Sequence, residues 1–184
     1  MRIIYAKNYN EVRDLCHNVK ESKPCPGLPV FYDEASAAMP VKAVLVPMPG
    51  SGGIASYTND MAHELAMSIN RQSCGKTAVV LNCLVGSVRD SVCRRKEAGE
   101  PFDDIEFGFR FVNEEAKVRL EKFIRAGWDV ILVDNVIDTG TTARAAMQNR
   151  SWTTAPSGRS SRRSRRTTDL CTSVDGQILR TPRR

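Results

Sequence analysis

Apolar residues fall into two rhythms along this chain. Mainly apolar runs rich in β-branched residues occur at residues 41–46, 77–85 and 130–133, and such runs predict strands, with 41–46 and 130–133 covered on both faces. Between them apolar positions recur at three- and four-residue spacing. Ile54, Met61, Leu65 and Ile69, with Ala62 and Ala66 beside them, predict one helix; Val118, Phe123 and Ile124 predict another. Gly75 and Gly127 suit helix ends. Asn113, followed by Glu114 and Glu115, suits a helix start, with a capping side chain and acids in the first turn. Strand and helix alternate, which predicts an α/β fold: an open, mainly parallel sheet with helices on both faces.

The first 40 residues are less regular. Residues 1–5 predict a short strand, and residues 10–20 a helix with Val12, Leu15 and Val19 on one face. Pro24, Pro26, Gly27 and Pro29 interrupt any regular element. Val30-Phe31-Tyr32 reads as another short strand. Residues 102–112 contain a period-2 pattern, with Ile105, Phe107, Phe109 and Phe111 facing one way and Asp104, Glu106, Gly108 and Arg110 the other. That is a strand with one covered face, and its aromatics are assigned to core or dimer contact rather than to stacking on a base.

Two of the strands run into loops suited to anions. After residues 41–46 comes Pro47-Met48-Pro49-Gly50-Ser51-Gly52-Gly53, then a helix. Glycines let the backbone approach an oxyanion closely, and a helix N-terminus carries positive charge. Taken alone, the loop reads better as a flexible turn. After residues 130–133 comes Asp134-Asn135-Val136-Ile137-Asp138-Thr139-Gly140-Thr141-Thr142. Asp134 and Asn135 stand where the strand is expected to end, and the small hydroxyl residues precede a helix over Ala143, Ala145, Ala146 and Met147. Backbone N–H groups and hydroxyls there can hold a phosphate, and the upstream carboxylate suits sugar hydroxyls or a metal.

Residues 130–142 resemble the signature of the type I phosphoribosyltransferases, which bind phosphoribosyl diphosphate (PRPP). The pattern is four apolar residues, two acids, two apolar residues and a Thr-rich turn around a glycine. Asn135 departs from it, leaving one carboxylate fewer. The resemblance extends over roughly residues 41–147 and implies that fold and transfer of the 5-phosphoribosyl group of PRPP to a nitrogen acceptor, with release of diphosphate. It implies that Asp138, Thr139, Gly140, Thr141 and Thr142 hold the 5-phosphate, and that Gly50, Ser51, Gly52 and Gly53 hold the diphosphate with Mg²⁺. Asp134 and Asn135 would hold the ribose hydroxyls, with Asp134 also a candidate Mg²⁺ ligand. It further implies that residues 1–40 form a hood over the acceptor and that a mobile loop closes over PRPP. Arg89, Arg94, Arg95 and Lys96 are the cations in that region, unranked; a solvated connection is the alternative. The acceptor stays open, and a homodimer is compatible with the pattern. His63, a lone histidine in a helix, reads as structural.

Composition adds the compartment and one anomaly. A hydrophobic content of 41% with 7% aromatics suits a soluble globular protein. The apolar runs are too short for a membrane span, and the N-terminus lacks a signal peptide's apolar stretch. The six cysteines form no CxxC pair, so they read as reduced thiols in a cytoplasm, and His17 and His63 lack zinc-ligand spacing. The net charge of +6 lies wholly in residues 151–184, which hold eight Arg against two Asp; residues 1–150 carry 19 basic and 19 acidic groups. The division is therefore one domain over residues 1–150 and an Arg/Ser/Thr-rich tail. The tail is expected to be disordered, and it comes where the family has another core strand, so the sheet is expected to lack its C-terminal edge. A solvated extension, a basic arm on nucleic acid and an out-of-frame product are the competing readings, the last favoured by the abrupt change of composition. Two alternatives to the transferase are kept: a PRPP-binding regulator without turnover, and a nucleic-acid-binding protein acting through the arginines, the less expected of the two.

Overall fold

A computed structural model of the chain describes residues 2–4, 9–21, 23–25, 27–72, 75–100, 107–137, 141–148 and 167–173. The chain runs β1 (Arg2–Ile4), α1 (Tyr9–Lys20), α2 (Leu28–Ala37), β2 (Lys42–Pro47), α3 (Tyr57–Gln72), β3 (Thr77–Val80), β4 (Leu84–Val85), α4 (Val92–Glu97), β5 (Arg110–Phe111), α5 (Glu114–Arg125), β6 (Asp129–Ile137), α6 (Thr141–Gln148) and β7 (Thr167–Ser173). It is an α/β fold. Three parallel strands, β6-β2-β3, form one side of the sheet, with β3 at its edge, and β7 and β1 extend it to the order β1-β7-β6-β2-β3. Every neighbouring pair in this sheet is parallel.

The buried strands explain the continuous apolar runs. In β2, Ala43 and Leu45 face one layer and Val44 and Val46 the other; in β6, Ile131 and Val133 oppose Val130 and Leu132. The first layer packs against Tyr32 and Ala35 of α2 and Ala62, Leu65 and Ile69 of α3. The second packs against Ala116 and Leu120 of α5 and Ala146 of α6. Helices thus cover both faces. Each fully buried Leu or Ile contributes roughly 1.5–3 kcal/mol by leaving water, so these two layers hold β2 and β6 side by side. The expected cap on α5 is present: the Asn113 side-chain oxygen accepts the Ala116 N–H at 2.8 Å, and Gly127, at φ +80°, ends the helix.

Several elements differ from the sequence expectation. Val30-Phe31-Tyr32 is helical, not extended. Pro29 fits the first turn of α2, where no backbone N–H is needed, and burial of Tyr32 and Ala35 outweighs the strand preference of the aromatics. The run at 77–85 is two strands. The Leu81 N–H still reaches the Leu45 carbonyl, but Cys83 O accepts from Val112 N, and the chain leaves the sheet to pair β4 antiparallel with β5. Of the strand expected at 102–112, residues 102–106 lie outside the described residues; among 107–112 the paired strand is Arg110–Phe111, and Gly108 has φ +55°. Ile54 is exposed and precedes α3 rather than joining its buried face.

The expectation that the sheet stops short after α6 is also corrected. Backbone of Thr167–Ser173 lies parallel to β6 on one side and to β1 on the other. Pairing through backbone groups needs no apolar run, and Thr167, Thr168 and Thr172 are β-branched, which suits an extended chain. Residues 149–166 and 174–184, most of the tail, lie outside the described residues.

Candidate functional site

The C-terminal end of β2 lies beside the middle of β6, since Val46 pairs with Leu132 and Pro47 with Val133 while β6 runs on to Ile137. The Pro47–Gly53 loop therefore leaves the sheet beside Asp134, which follows Val133 in β6. The loop is braced at its base. Met48 donates its N–H to Val133 O at 2.9 Å, and the buried Thr58 hydroxyl donates to Met48 O at 2.7 Å. Its turn closes through Gly53 N to Gly50 O and Gly50 N to Ile54 O. Gly53 has φ +80°, and a Cβ there would stand 2.6 Å from Gly86 O. Only glycine fits, and Gly86 N donates to Gly53 O across the same contact at 2.8 Å. At Gly52 a Cβ would enter open space, and the N–H groups of Ser51 and Gly52 have no partner among the described residues. The loop thus presents donors outward from a fixed base.

Arg89 locks the loop from the other side. Its N–H donates to Ser51 O at 2.9 Å, and its guanidinium donates to Gly50 O and Ser87 O, both at 3.2 Å. The guanidinium carbon lies 4.6 Å from the centre of the Phe107 ring and 5.8 Å from that of Phe109, and the two rings stack on each other at 5.4 Å. Burial pushes the Arg89 guanidinium below its ordinary value, while the nearby Asp134 carboxylate and Tyr57 favour its charged form. Its Nε is buried without a hydrogen-bond partner. Three of the four cations of the sequence reading have described side chains, and of these Arg89 is the one brought to the loop. Arg94 is exposed on α4, Arg95 lies 4.0 Å from Glu100, and the Lys96 side chain lies outside the described residues. Residues 92–97 form a short helix instead of an irregular loop.

At the signature, β6 continues to Ile137 instead of ending at Val133. The pairing with β7 shifts register between Val133 and Val136, so Asp134 and Asn135 sit at a bulge. A bulge re-aims side chains where a strand would otherwise alternate them. Asp134 is half-exposed, and its carboxylate accepts the Asn135 N–H at 2.8 Å. Asn135 is only 4% exposed, and its carbonyl accepts the Cys16 thiol of α1 at 3.9 Å. Thr141 and Thr142 are half-buried at the start of α6, where the Thr141 hydroxyl accepts from Arg144 at 3.5 Å. Asp138, Thr139 and Gly140 lie outside the described residues.

Sequence reasoning missed two parts of this arrangement. Phe107 and Phe109 are core residues, as expected, but they are also the platform under Arg89. Tyr57 was not singled out, yet a Cβ on Gly50 would lie 3.9 Å from its hydroxyl. The signal for the first was a Phe-Gly-Phe triplet in strand phase; no local signal marks the second. Among the described residues there is no group of three or more His, Cys, Asp or Glu able to hold a metal by themselves, and no helix is long and apolar enough to cross a membrane. Comparison with known protein families and with curated proteins finds no match to this chain.

Proposed function

We propose that this protein has the type I phosphoribosyltransferase fold and transfers the 5-phosphoribosyl group of PRPP to a nitrogen acceptor, releasing diphosphate. The observation that carries this reading is the adjacency of the Gly50–Gly53 loop and Asp134, tied by the bond from Met48 N to Val133 O. Open parallel sheets bind ligands at the carboxyl ends of neighbouring strands. The Ser51 and Gly52 N–H groups would meet the diphosphate, and Arg89 would supply the fixed cation beside it. Asp134 would accept the ribose hydroxyls, and Thr141 and Thr142 would hold the 5-phosphate at the start of α6 with Asp138, Thr139 and Gly140.

In the reaction the bond from ribose C1 to the diphosphate oxygen breaks and a bond from C1 to the acceptor nitrogen forms. Diphosphate leaves with the electron pair, and the nitrogen gives up its proton. Holding the two partners in line and meeting the leaving charge with fixed donors would lower the barrier. Mg²⁺ commonly binds through one or two carboxylates plus substrate phosphates. Asp134 fits that pattern as the protein ligand, and the ion would offset charge on the diphosphate.

Titration calorimetry with PRPP and Mg²⁺, followed by a diphosphate-release assay across nucleobases, tests the reading. Saturable PRPP binding and release with at least one base is expected; no PRPP binding would sink it. Burial of Asn135 in place of a second acid favours a further reading, a PRPP-binding regulator, for which binding without release on any base is the expected result.

A further inference from the structure

We propose that the cavity between α2 and α3 is the acceptor pocket of this same site, and that it takes a planar heterocycle bearing an exocyclic amino group. The inference rests on the PRPP reading for its role, but not for its chemistry. The cavity measures about 430 Å³, a size typical of small-molecule sites. Its walls include Leu28 and Tyr32 from α2 and Tyr57, Asp60, Met61 and Glu64 from α3. Positions 57, 60, 61 and 64 share one face of α3, as residues three and four apart must. Tyr57 lies against Gly50, so the cavity adjoins the loop assigned to diphosphate.

Two carboxylates, Asp60 and Glu64, stand on the cavity wall. Tyr32 is only 6% exposed, and its hydroxyl makes no hydrogen bond with another described residue. The hydroxyl is not among the buried polar atoms left without a partner, so it reaches solvent and is open to a guest in the cavity it lines. Asp60 and Glu64 are carboxylates with no ion pair among the described residues. Lys23, also on the wall, is already matched by Glu21 at 2.5 Å. Burial first, and then the carboxylate of Glu64, hold the Tyr32 phenol protonated well above its ordinary range. A guest that donates N–H groups satisfies the two carboxylates and the phenol oxygen, with Leu28 and Met61 against its faces. A guest that carries its own carboxylate meets like charge and is rejected.

Equilibrium binding of adenine, cytosine, uracil and orotate to the full chain, with and without PRPP and Mg²⁺, tests this. Adenine or cytosine should bind about tenfold or more tightly than orotate, the scale of a hydrogen bond to a charged group. Glu64→Gln and Asp60→Asn should each remove most of that preference. Both positions are exposed, so folding should survive, as far-UV circular dichroism would verify. Tyr32→Phe should weaken the amino bases while leaving PRPP affinity unchanged. Orotate binding as well as adenine, or a preference untouched by both carboxylate variants, overturns the proposal. Amino-base selectivity without PRPP binding would uphold the pocket and defeat the transferase reading; PRPP binding without base selectivity would do the reverse.

Discussion

The Arg89 guanidinium rests over the ring of Phe107, 4.6 Å from its centre, while the same group bonds Gly50 O in the neighbouring loop. One residue therefore joins a core aromatic to the turn proposed to hold diphosphate. Phe107→Leu should remove a cation–π contact of about 0.5–2 kcal/mol and let the guanidinium drift. PRPP affinity should then fall about three- to tenfold, and Arg89→Ala should cost about tenfold or more, since a charge-assisted contact is lost. Calorimetric titration decides: wild-type affinity in Arg89→Ala would remove that residue from the site.

Gly53 tests the loop itself. Alanine there meets both the positive φ and the Gly86 carbonyl. We expect Gly53→Ala to cost about 1–3 kcal/mol, lowering Tm by several degrees, roughly 2–4 °C per kcal/mol for a chain of this size. Stabilisation by PRPP should shrink further than this loss explains. An unchanged melting curve would mean that the turn is not held as described.

The Asn113 cap makes a stability prediction independent of any ligand. Asn113→Ala leaves the Ala116 N–H without its acceptor and should cost about 0.5–2 kcal/mol. In urea the midpoint should shift with an unchanged slope, whereas a changed slope would point to altered compactness instead.

Cys83 links stability to alkaline pH. Burial pushes its thiol up to about 12 from the ordinary 9.0. The folded value lies above the unfolded one, so the contribution is complete below about pH 9. It is lost as pH climbs from about 9 through about 12, by up to roughly 1.4 kcal/mol per pH unit. Unfolding free energies measured from pH 7 to 10.5 should fall more steeply for wild type than for Cys83→Ala. Parallel slopes would argue against a buried thiol.

Much of the fold was legible from local pattern. The runs at 41–46 and 130–133 are buried strands because β-branched residues covered on both faces leave no polar alternation. The helices at α3 and α5 follow from three- and four-residue spacing, and Asn113 and Gly127 mark an end each through backbone chemistry. Val30-Phe31-Tyr32 misled because Pro29 and packing against α3 override residue preference. The 77–85 run misled because leaving a sheet is a matter of partners, and the partner, β5, is some 25 residues away.

By itself the sequence determined the α/β class, the glycine-rich and threonine-rich segments after two strands and the departure at Asn135, since each rests on neighbours within about a dozen residues. Tertiary structure decided what lies beside the first loop. Parallel pairing of β2 with β6 sets it next to Asp134, the bulge at Asp134 and Asn135 gives the two residues different exposures, and two distant phenylalanines hold Arg89 against it. The cavity at Tyr32 likewise exists only once α2 packs on α3. Such relationships join residues far apart in the chain, and only the packing of the whole chain brings them together.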